Sequence, residues 1–589
     1  MKSTRILALL LALVLMLGLV ACSSAPAETP VGPTDAPAAD TQTPAEEPAD
    51  EPVEAPADEP ADEPAEAPAD EPADEPVEAP EVEPAAVTYP LCAPGEINLT
   101  WMRSAMQEAI NVFEDDFSQN VQFREMEKLT GIHVDFQFLT DATWNEQFNL
   151  MLVAEDYPDI ASAAPSACSG SADQAYEDEV IIRLNDYMEL IPNYLNVINT
   201  VDTWANAVTD QGNLMGFYYI AQRFQPNFCG YCVRRDWMED LNLEMPEIID
   251  DWYQILLAFK EHKTGGEAPM DIANTGMPID NWFAPAFGVN AVSPYLLQDN
   301  GKVFFSPTTD GYRAYLANLS KWYAEGLINQ DFLSLTGFEG MGAAPAADRL
   351  AGNISGVLPA LYTLAGDTFA MIGQAEPEFF AEMAKQPTLE RGVPNKVGVR
   401  GDQNTKILQN GAVIFTSCAY IPETVSYLDY IYSEEGILLS NYGVEGETFY
   451  YDEEGKPHAG DLLVNNPDGL TFGQAREVYL THTGAKYYLL DPEEESAAPY
   501  SLNYYNTWND IGEWNLTNAL TYTAEEQEEH ASLLSDIQTY VQEYSTKVIA
   551  GIEPLNDETW NNYVKQLTTM KVDRLVEVTQ QAYDRYLSR

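Results

Sequence analysis

Residues 97–163 read INLTWMRSAMQEAINVFEDDFSQNVQFREMEKLTGIHVDFQFLTDATWNEQFNLMLVAEDYPDIASA and change repeatedly between the hydrophobic period of a strand and that of a helix. Residues 97–101 and 133–138 alternate with a period of two, and 159–163 read as a third, short strand. Residues 119–130 and 144–155 have helical spacing, and Gly131 is placed to end the first helix. This order predicts parallel strands in an α/β sheet, with a ligand bound beyond their carboxyl ends.

The first 21 residues are predicted to be a signal peptide. Lys2 and Arg5 precede an apolar run at 6–20, which is shorter than the roughly twenty residues that span a bilayer. The run ends in Leu19-Val20-Ala21-Cys22, which resembles the lipobox of bacterial lipoproteins. We expect cleavage before Cys22, lipidation of Cys22 and an anchor on the outer face of the cytoplasmic membrane. The alternative is an ordinary secretory peptide that a cysteine follows by chance.

Residues 22–88 have the composition of a disordered tether. From Ser23 to Thr88 the chain has no Lys, Arg or aromatic residue, and proline recurs at every fourth position from Pro44 to Pro84. Such a segment cannot bury a core, and its prolines interrupt both helices and sheets. At about 3.1 Å per residue, it would reach roughly 200 Å when fully extended, which suits display across a cell wall. The alternative is a low-complexity segment that only adds solubility.

The acidic composition excludes nucleic acid as a partner. The tether holds 20 of the 94 acidic residues, and residues 89–589 keep 74 acids against 27 bases, a net charge of about −47. We find no Lys and Arg cluster of the kind that phosphate contacts require, so nucleic acid and anionic headgroups are repelled. The same charge argues against a strongly anionic ligand unless a local basic pocket overrides it.

Residues 89–589 are expected to form two lobes, because chains longer than about 250 to 300 residues usually divide into domains. Five blocks along this region are informative together: TGIHV (130–134), DYPDI (156–160), RDWM (235–238), KWYAEGLI (321–328) and NYGVEGETF (441–449). In this order and spacing they resemble the extracellular solute-binding lipoprotein of a carbohydrate ABC transporter, of the family 1 type and the large Gram-positive subgroup. The resemblance covers nearly the whole region.

The resemblance implies a two-lobed α/β fold of the periplasmic-binding-protein-like type II, with the ligand in a cleft between the lobes. We expect lobe 1 to comprise residues 89–225 and 352–440, and lobe 2 to comprise 226–351 and 441–589. The helical patterns at 524–546 and 557–587 are expected to pack on lobe 2. The implied mechanism is closure of the lobes around the solute, in which no bond is broken.

The implied function is capture of a mono- or oligosaccharide by a monomer and its delivery to ABC transporter permease subunits, with no cofactor or metal. The alternative is a peptide or another non-sugar solute of an ABC importer, because the fold serves many ligand classes. A surface glycoside hydrolase and a sensor that works without a permease are further alternatives.

Candidate sugar-binding residues are aromatic and polar side chains near predicted strand ends. Sugars offer C–H faces to aromatic rings and hydroxyls to carboxylate, amide and guanidinium groups. For each aromatic candidate a packing role is the alternative, and Asp236 can simply begin a helix whose Trp237 is buried. The candidates are Arg103, Asp141, Trp144, Tyr218, Tyr219, Asp236, Trp282, Tyr362 and Glu445.

No catalytic motif supports a hydrolase. The five histidines lack metal-ligand spacing, and the sequence has no Gly-x-Ser-x-Gly elbow or phosphate-binding Gly-Lys-Ser/Thr loop. A carboxylate pair cannot be singled out among so many acids. Cys229 and Cys232 have redox or metal spacing, but a local disulfide or two inert thiols are the simpler interpretations. The acidic stretch 452–455 is either a turn or a calcium-binding loop.

Overall fold

The computed structural model describes residues 79–589 apart from 81, 106, 114–116, 225–228, 273–280, 335–354, 362–378, 400–404, 468, 471, 481–483, 490–506 and 508–511. The signal peptide, Cys22, the tether up to residue 78 and Tyr362 therefore lie outside the described residues. Asp74–Arg589 form one unit by their internal contacts. Among the helices described, none is both long and apolar enough to cross a membrane.

The strands are numbered in chain order. They are β1 Asn98–Ser104, β2 His133–Leu139, β3 Ile160–Ala161, β4 Phe217–Ala221, β5 Cys229–Arg234, β6 Leu296–Asp299, β7 Lys302–Phe305, β8 Val357–Leu361, β9 Ala381–Met383, β10 Ile407–Ile414, β11 Phe449–Tyr451, β12 Pro457–Ala459 and β13 Lys486–Tyr488.

The α-helices are numbered in the same way. They are α1 Gln107–Phe113, α2 Val121–Thr130, α3 Asp141–Ala154, α4 Ala172–Glu177, α5 Pro192–Thr200, α6 Trp204–Ala207, α7 Arg235–Leu241, α8 Ile249–His262, α9 Asp310–Ala324, α10 Ile421–Tyr430, α11 Glu434–Tyr442, α12 Asp461–Val464, α13 Phe472–Leu480, α14 Ala524–Ile549, α15 Asp557–Thr569 and α16 Val572–Tyr586.

The predicted strand and helix alternation of residues 97–163 is confirmed. Strands β1, β2 and β3 pair in parallel, with Trp101 opposite Phe136 on one side and Ile160 on the other. They belong to a six-stranded sheet in the order β13-β4-β10-β3-β1-β2. We call this the first sheet. Because α2 and α3 each return the chain to the start of the next strand, the local hydrophobic period was sufficient to predict this part.

Helix α2 begins and ends at residues whose chemistry fixes its length. The side-chain oxygen of Asn120 accepts hydrogen bonds from the backbone N–H groups of Gln122 (2.9 Å) and Phe123 (3.4 Å). Gly131 follows the last turn at φ +80°, and a Cβ atom there would lie 2.2 Å from the carbonyl oxygen of Cys92. Only glycine fits this position, so the predicted stop at Gly131 is confirmed.

Apolar cores cover both faces of the first sheet. Leu99 and Trp101 face a core that α2, α5, α10 and α13 complete. Met102 and Ala161 face a smaller core with α3 and α4. Alternate residues of one strand therefore bury against helices on opposite sides, as expected for a parallel sheet in an α/β lobe.

A separate core surrounds the three-stranded antiparallel sheet β8-β5-β9, which we call the second sheet. Isolated bridges from Met270 to Ile328 and Val357 extend its pairing. The fully buried rings of Trp252, Trp282 and Trp322 contribute much of the apolar volume of this core.

The two cores divide the chain differently from the expectation in two stretches. Residues 357–399 were expected in lobe 1, but β8 and β9 pair with β5 in the second sheet. Residues 441–488 were expected in lobe 2, but α13 and β13 join the core of the first sheet. The lobe to which each stretch belongs depends on pairing between strands that are far apart in the sequence. The local hydrophobic period does not encode this pairing. We define the first lobe as residues 79–221 and 407–488, and the second lobe as 229–399 and 512–589.

The C-terminal helices pack on the second lobe, as predicted. Ile537 of α14, Trp560 of α15 and Leu575 of α16 belong to the core of the second sheet. The helical pattern at 557–587 is divided into α15 and α16, because Lys571 adopts φ +65° between them.

Candidate functional site at the carboxyl edge of the first sheet

The candidate site is the edge of the first sheet at which its parallel strands end. Strands β1, β2, β3, β4 and β13 point in the same direction, and β10 runs against them between β3 and β4. We call this edge the carboxyl edge, and β10 begins there. In open α/β sheets ligands bind outside the carboxyl ends of the strands, so this edge is the first place to look for a ligand site.

The three chain segments that connect the two lobes all meet the carboxyl edge. They are residues 222–228 after β4, 400–406 before β10 and 489–511 after β13. The backbone N–H of Ala221 donates to the carbonyl of Lys406 (2.8 Å), and that of Gln222 donates to the carbonyl of Tyr488 (2.9 Å). These bonds hold the ends of β4 and β13 and the residue before β10 side by side. A set of adjacent connecting segments is the usual construction of a hinge between two lobes.

Arg103, near the end of β1, lies at this edge but is buried, with 4% of its surface exposed. Its guanidinium carbon is 5.3 Å from the ring centre of Trp101 and 5.4 Å from that of Phe123. Burial lowers the pKa of Arg103 to about 10, although the Glu477 carboxylate opposes this shift. The side chain is therefore still a cation at neutral pH, stacked on aromatic rings.

Asp141 and Trp144 are also at the carboxyl edge, because α3 starts directly after β2. Asp141 is the first residue of this helix, and its side chain lies outside the described part of the structure. Trp144 lies in the first turn, is half-buried, and stacks on Phe148 with ring centres 5.4 Å apart and an interplanar angle of 16°. The exposed part of the Trp144 ring is thus held in a fixed orientation.

Tyr218 and Tyr219 lie within β4 and not beyond its end. Tyr219 is buried, and its ring centre is 5.5 Å from that of Tyr488. The backbone N–H of Tyr218 donates to the hydroxyl of Tyr194 (2.9 Å), and burial raises the pKa of Tyr218. Packing within the chain accounts for the contacts of both tyrosines.

Asp236 and Trp282 belong to the second lobe. The Asp236 carboxylate accepts hydrogen bonds from Arg234, from Nε at 2.8 Å among others, in the first turn of α7. This helix start with a buried Trp237 was the alternative interpretation of the Arg-Asp-Trp sequence. Trp282 is 1% exposed and packs 5.9 Å from the ring of Tyr231.

Glu445 is exposed in the loop between α11 and β11. Its neighbour Glu447 forms an ion pair with Arg124 of α2, with Oε2 and a guanidinium nitrogen 2.6 Å apart. The structure thus brings Arg103, Asp141, Trp144 and Glu445 to the side of the first lobe where its parallel strands end. Tyr362 lies outside the described residues.

Two aromatic groups near this edge were missed in the sequence. Phe224, in the connection after β4, is 40% exposed, and the Lys406 ammonium nitrogen is 5.7 Å from its ring centre. Tyr450 and Tyr451 in β11 are 53% and 41% exposed. Two short strand-like runs flank the turn residues Asp452-Glu453-Glu454-Gly455, and this pattern predicts a β-hairpin. That prediction would have identified Tyr450 and Tyr451 as exposed strand residues.

The cysteines of the described region are free thiols. Cys229 and Cys232 are completely buried in β5, and burial raises the pKa of Cys232. A raised pKa keeps a thiol protonated and unreactive, so two inert thiols are the interpretation that the geometry supports. Within the described ranges, no group of three or more His, Cys, Asp or Glu side chains is arranged to hold a metal ion.

No protein-family model matches the chain. It is 24% identical over 358 residues to lipoprotein LipO of Bacillus subtilis (strain 168), which covers 57% of this chain and 65% of LipO. It is 26% identical over 241 residues to the polygalacturonan/rhamnogalacturonan-binding protein YtcQ of the same strain, which covers 40% of this chain and 45% of YtcQ. The aligned part thus spans less than two thirds of each of these relatives.

Solved structures show the fold over a longer stretch. A solute-binding protein from Bifidobacterium longum infantis ATCC 15697, described as binding HMO and associated with an ABC transporter, superposes with a TM-score of 0.67 at 16% identity, covering 84% of this chain and 99% of that one. The alginate-binding protein AlgQ2 superposes with a TM-score of 0.63 at 21% identity, covering 83% and 98%. The two-lobed α/β fold of type II solute-binding proteins, predicted from the sequence, is confirmed.

Proposed function

We propose that this chain is an extracellular receptor that captures a saccharide between its two lobes and delivers it to an ABC transporter permease. The relatives and the superposed structures support the proposal, since those named for a ligand bind polygalacturonan and rhamnogalacturonan, alginate or HMO. The lipoprotein name of one relative agrees with the predicted lipid anchor at Cys22.

The observation that carries the proposal is the arrangement at the carboxyl edge. Five parallel strands end there, and at this same edge the chain leaves the first lobe after β4 and β13 and returns to it at the start of β10. A solute bound at this edge touches both lobes only when they approach each other, so binding stabilises the closed form. Closure binds and releases a solute without breaking a bond, which is the reason we propose a receptor and not an enzyme.

The proposed contacts follow the chemistry of a sugar. Trp144 offers part of a ring face to C–H groups, and Glu445 offers a carboxylate to hydroxyls. Asp141 stays a candidate because of its position as the first residue of α3. Arg103 is buried against aromatic rings, so we propose that it stabilises the carboxyl edge and does not contact the solute. Tyr219, Asp236 and Trp282 are engaged in packing or in an internal ion pair, and we propose structural roles for them.

The test is a thermal-shift screen of residues 23–589 against kestose, maltotriose, cellotriose, trigalacturonate, a tripeptide and spermidine. A solute that binds only the folded state raises the melting temperature. We expect a rise with one class of saccharide and none with the tripeptide or spermidine, and chromatography should show the saccharide unchanged. A shift with the tripeptide alone, or conversion of a saccharide, would contradict the proposal.

A further inference from the structure

The second sheet presents the carboxyl ends of two of its strands to the connections between the lobes. Strand β5 begins at Cys229, directly after the connection 222–228, and β8 and β9 run antiparallel to it. Leu361, the last residue of β8, is opposite Cys229 at this end of the sheet, which we call the hinge end. Ligands of α/β lobes bind outside the carboxyl ends of strands, so we expect the second lobe to contact a solute at its hinge end.

Gln386 lies at the hinge end, three residues after β9. The backbone N–H of Ala384 donates to the carbonyl of Tyr231 (2.9 Å), so the chain continues along β5 toward its start. Ala384 and Gln386 are 0% and 4% exposed, whereas Lys385 between them is exposed. Because side chains alternate along a strand, Gln386 is on the same side as Ala384 and Tyr231, which belong to the core of the second lobe.

The side-chain amide of Gln386 is a buried polar group without a partner. Neither its Nε2 nor its Oε1 forms a hydrogen bond with any residue that the structure describes. Folding removes such an amide from water without replacing its hydrogen bonds, so an unbonded one needs an explanation. The amide has a donor group and an acceptor oxygen, and a hydroxyl group can bond to both.

A second unbonded polar group lies on the same side of the sheet. Trp252 is completely buried in the first turn of α8, and its ring centre is 6.3 Å from that of Tyr231. Its indole Nε1–H has no acceptor among the described residues. The backbone N–H of Ile249, at the start of α8, donates to the carbonyl of Thr388 (3.0 Å), two residues after Gln386. Helix α8 therefore begins at the hinge end, where an unbonded indole donor accompanies the unbonded amide.

We propose that Gln386 binds a hydroxyl group of the saccharide on the second lobe, with the Trp252 indole as a further donor. This inference rests on the proposed function and names a contact of the second lobe, in which Asp236 and Trp282 have structural roles. The polar atoms of both groups are closed to solvent in this arrangement, so the contact forms as the lobes move around the solute. Water offers the same hydroxyl chemistry, and the experiment distinguishes a buried water molecule from the saccharide.

The test replaces the amide by an apolar side chain of similar length. Gln386→Met removes both hydrogen-bonding atoms, and Gln542→Met, at an exposed position of α14, is the matched control. Calorimetric titration of residues 23–589 with kestose, maltotriose, cellotriose and trigalacturonate measures the affinities. We expect Gln386→Met to bind the saccharide that wild type prefers about tenfold more weakly, because a sugar hydroxyl loses its partner. Gln542→Met should keep the wild-type affinity within about twofold.

Two further measurements separate binding from folding. Without saccharide, the melting temperature of Gln386→Met should equal or exceed that of wild type, because the variant removes an unbonded amide from the core. Trp252→Phe keeps a ring and removes the indole donor, and it should weaken binding of the same saccharide about threefold or more.

Wild-type affinity of both Gln386→Met and Trp252→Phe would overturn the hydroxyl site and leave the proposed function standing. A lower melting temperature of Gln386→Met without saccharide, at unchanged affinity, would mean that the amide bonds to a buried water molecule, and it would also overturn the site. If the wild type binds none of the four saccharides, the proposed function fails, and the hydroxyl site fails with it.

Discussion

The guanidinium of Arg234 lies between the rings of Trp237 and Phe379, 4.6 Å from each ring centre, and Asp236 is its carboxylate partner. Arg234 is 3% exposed, so removing the carboxylate would leave a cation in the core of the second lobe. At the scale of single residues, burial and internal partners distinguish a charged side chain that has a structural role from one that is available to bind a ligand. Asp236 was a ligand candidate in the sequence, and its contacts now indicate a structural role.

Asp236→Ala is expected to destabilise the protein by about 3 to 5 kcal/mol, because it removes the carboxylate that pairs with the buried Arg234 cation. Saccharide affinity of the fraction that remains folded should not change. Urea denaturation measures the first effect and calorimetric titration the second. A loss of affinity without a loss of stability would show instead that Asp236 contacts the solute.

The buried carboxyl group of Asp429 is expected to make the stability of the fold depend on pH. It is 2% exposed and accepts hydrogen bonds from the backbone N–H of Tyr194 (2.8 Å) and the Asn193 amide (2.7 Å) at the start of α5. Burial raises its pKa from 3.8 to about 7, although these hydrogen bonds oppose the shift. The folded chain thus holds this proton more tightly than the unfolded chain, so stability from this group is full below about pH 4 and is lost as the pH rises to about 7.

Asp429→Asn keeps an oxygen acceptor for Tyr194 and cannot ionise. Relative to wild type, the variant should gain stability between pH 4 and pH 7.5, by at most about 4 kcal/mol. Thermal denaturation at several pH values measures this gain, and Asp536→Asn, at an exposed position of α14, is the control. A stability difference that does not change with pH would mean that Asp429 has an ordinary pKa.

At the scale of elements, an ion-pair network joins α16 of the second lobe to the first lobe. The Asp210 carboxylate accepts hydrogen bonds from Arg585 Nε (2.7 Å) and Arg589 (2.7 Å). Arg585 also pairs with Glu526 at the start of α14, and the Tyr586 hydroxyl donates to Asn206 of α6 (2.9 Å). Burial opposes ionisation of Asp210, but the two arginines outweigh it and lower the pKa of Asp210. The network therefore ties the C-terminal helix of the second lobe to the first lobe.

Asp210→Ala removes the shared partner of two arginines and should cost about 3 kcal/mol. Asp584→Ala, an exposed carboxylate on α16 next to the network, is the matched control and should change stability by less than about 0.5 kcal/mol. Chemical denaturation of both variants compares these values. Equal free energies of unfolding for the two variants would mean that solvent screens the network and that it does not stabilise the contact between the lobes.

The elements also show what the sequence could and could not predict. The strands and helices of residues 97–163 and helix α14 follow from hydrophobic period and capping residues such as Thr523, which accepts a bond from the N–H of Glu526 (3.3 Å). The pairing of β8 with β5 and the joining of β13 to β4 depend on contacts far apart in the chain, so the lobe boundaries could not be read locally. For the same reason, proximity to a predicted strand end indicates Trp144 as a site candidate but does not indicate Tyr450.

At the scale of the whole molecule, the proposed receptor must stay attached to the cell. Cys22→Ser removes the thiol that the predicted lipobox would lipidate, so the protein should pass from the membrane fraction into the medium. Fractionation with immunoblotting, and labelling with a palmitate analogue, measure this. Retention of Cys22→Ser in the membrane fraction would contradict the lipid anchor. Ser23→Ala is the control and should leave the protein attached.

The central claim is that a saccharide closes the two lobes, and small-angle X-ray scattering of residues 74–589 tests it most directly. These residues form one unit without most of the tether, whose extension would dominate the signal. With the saccharide that gives the largest thermal shift, we predict a smaller radius of gyration, and with a saccharide that gives no shift, an unchanged one. A radius of gyration that stays constant while calorimetry shows the saccharide bound would contradict capture by lobe closure.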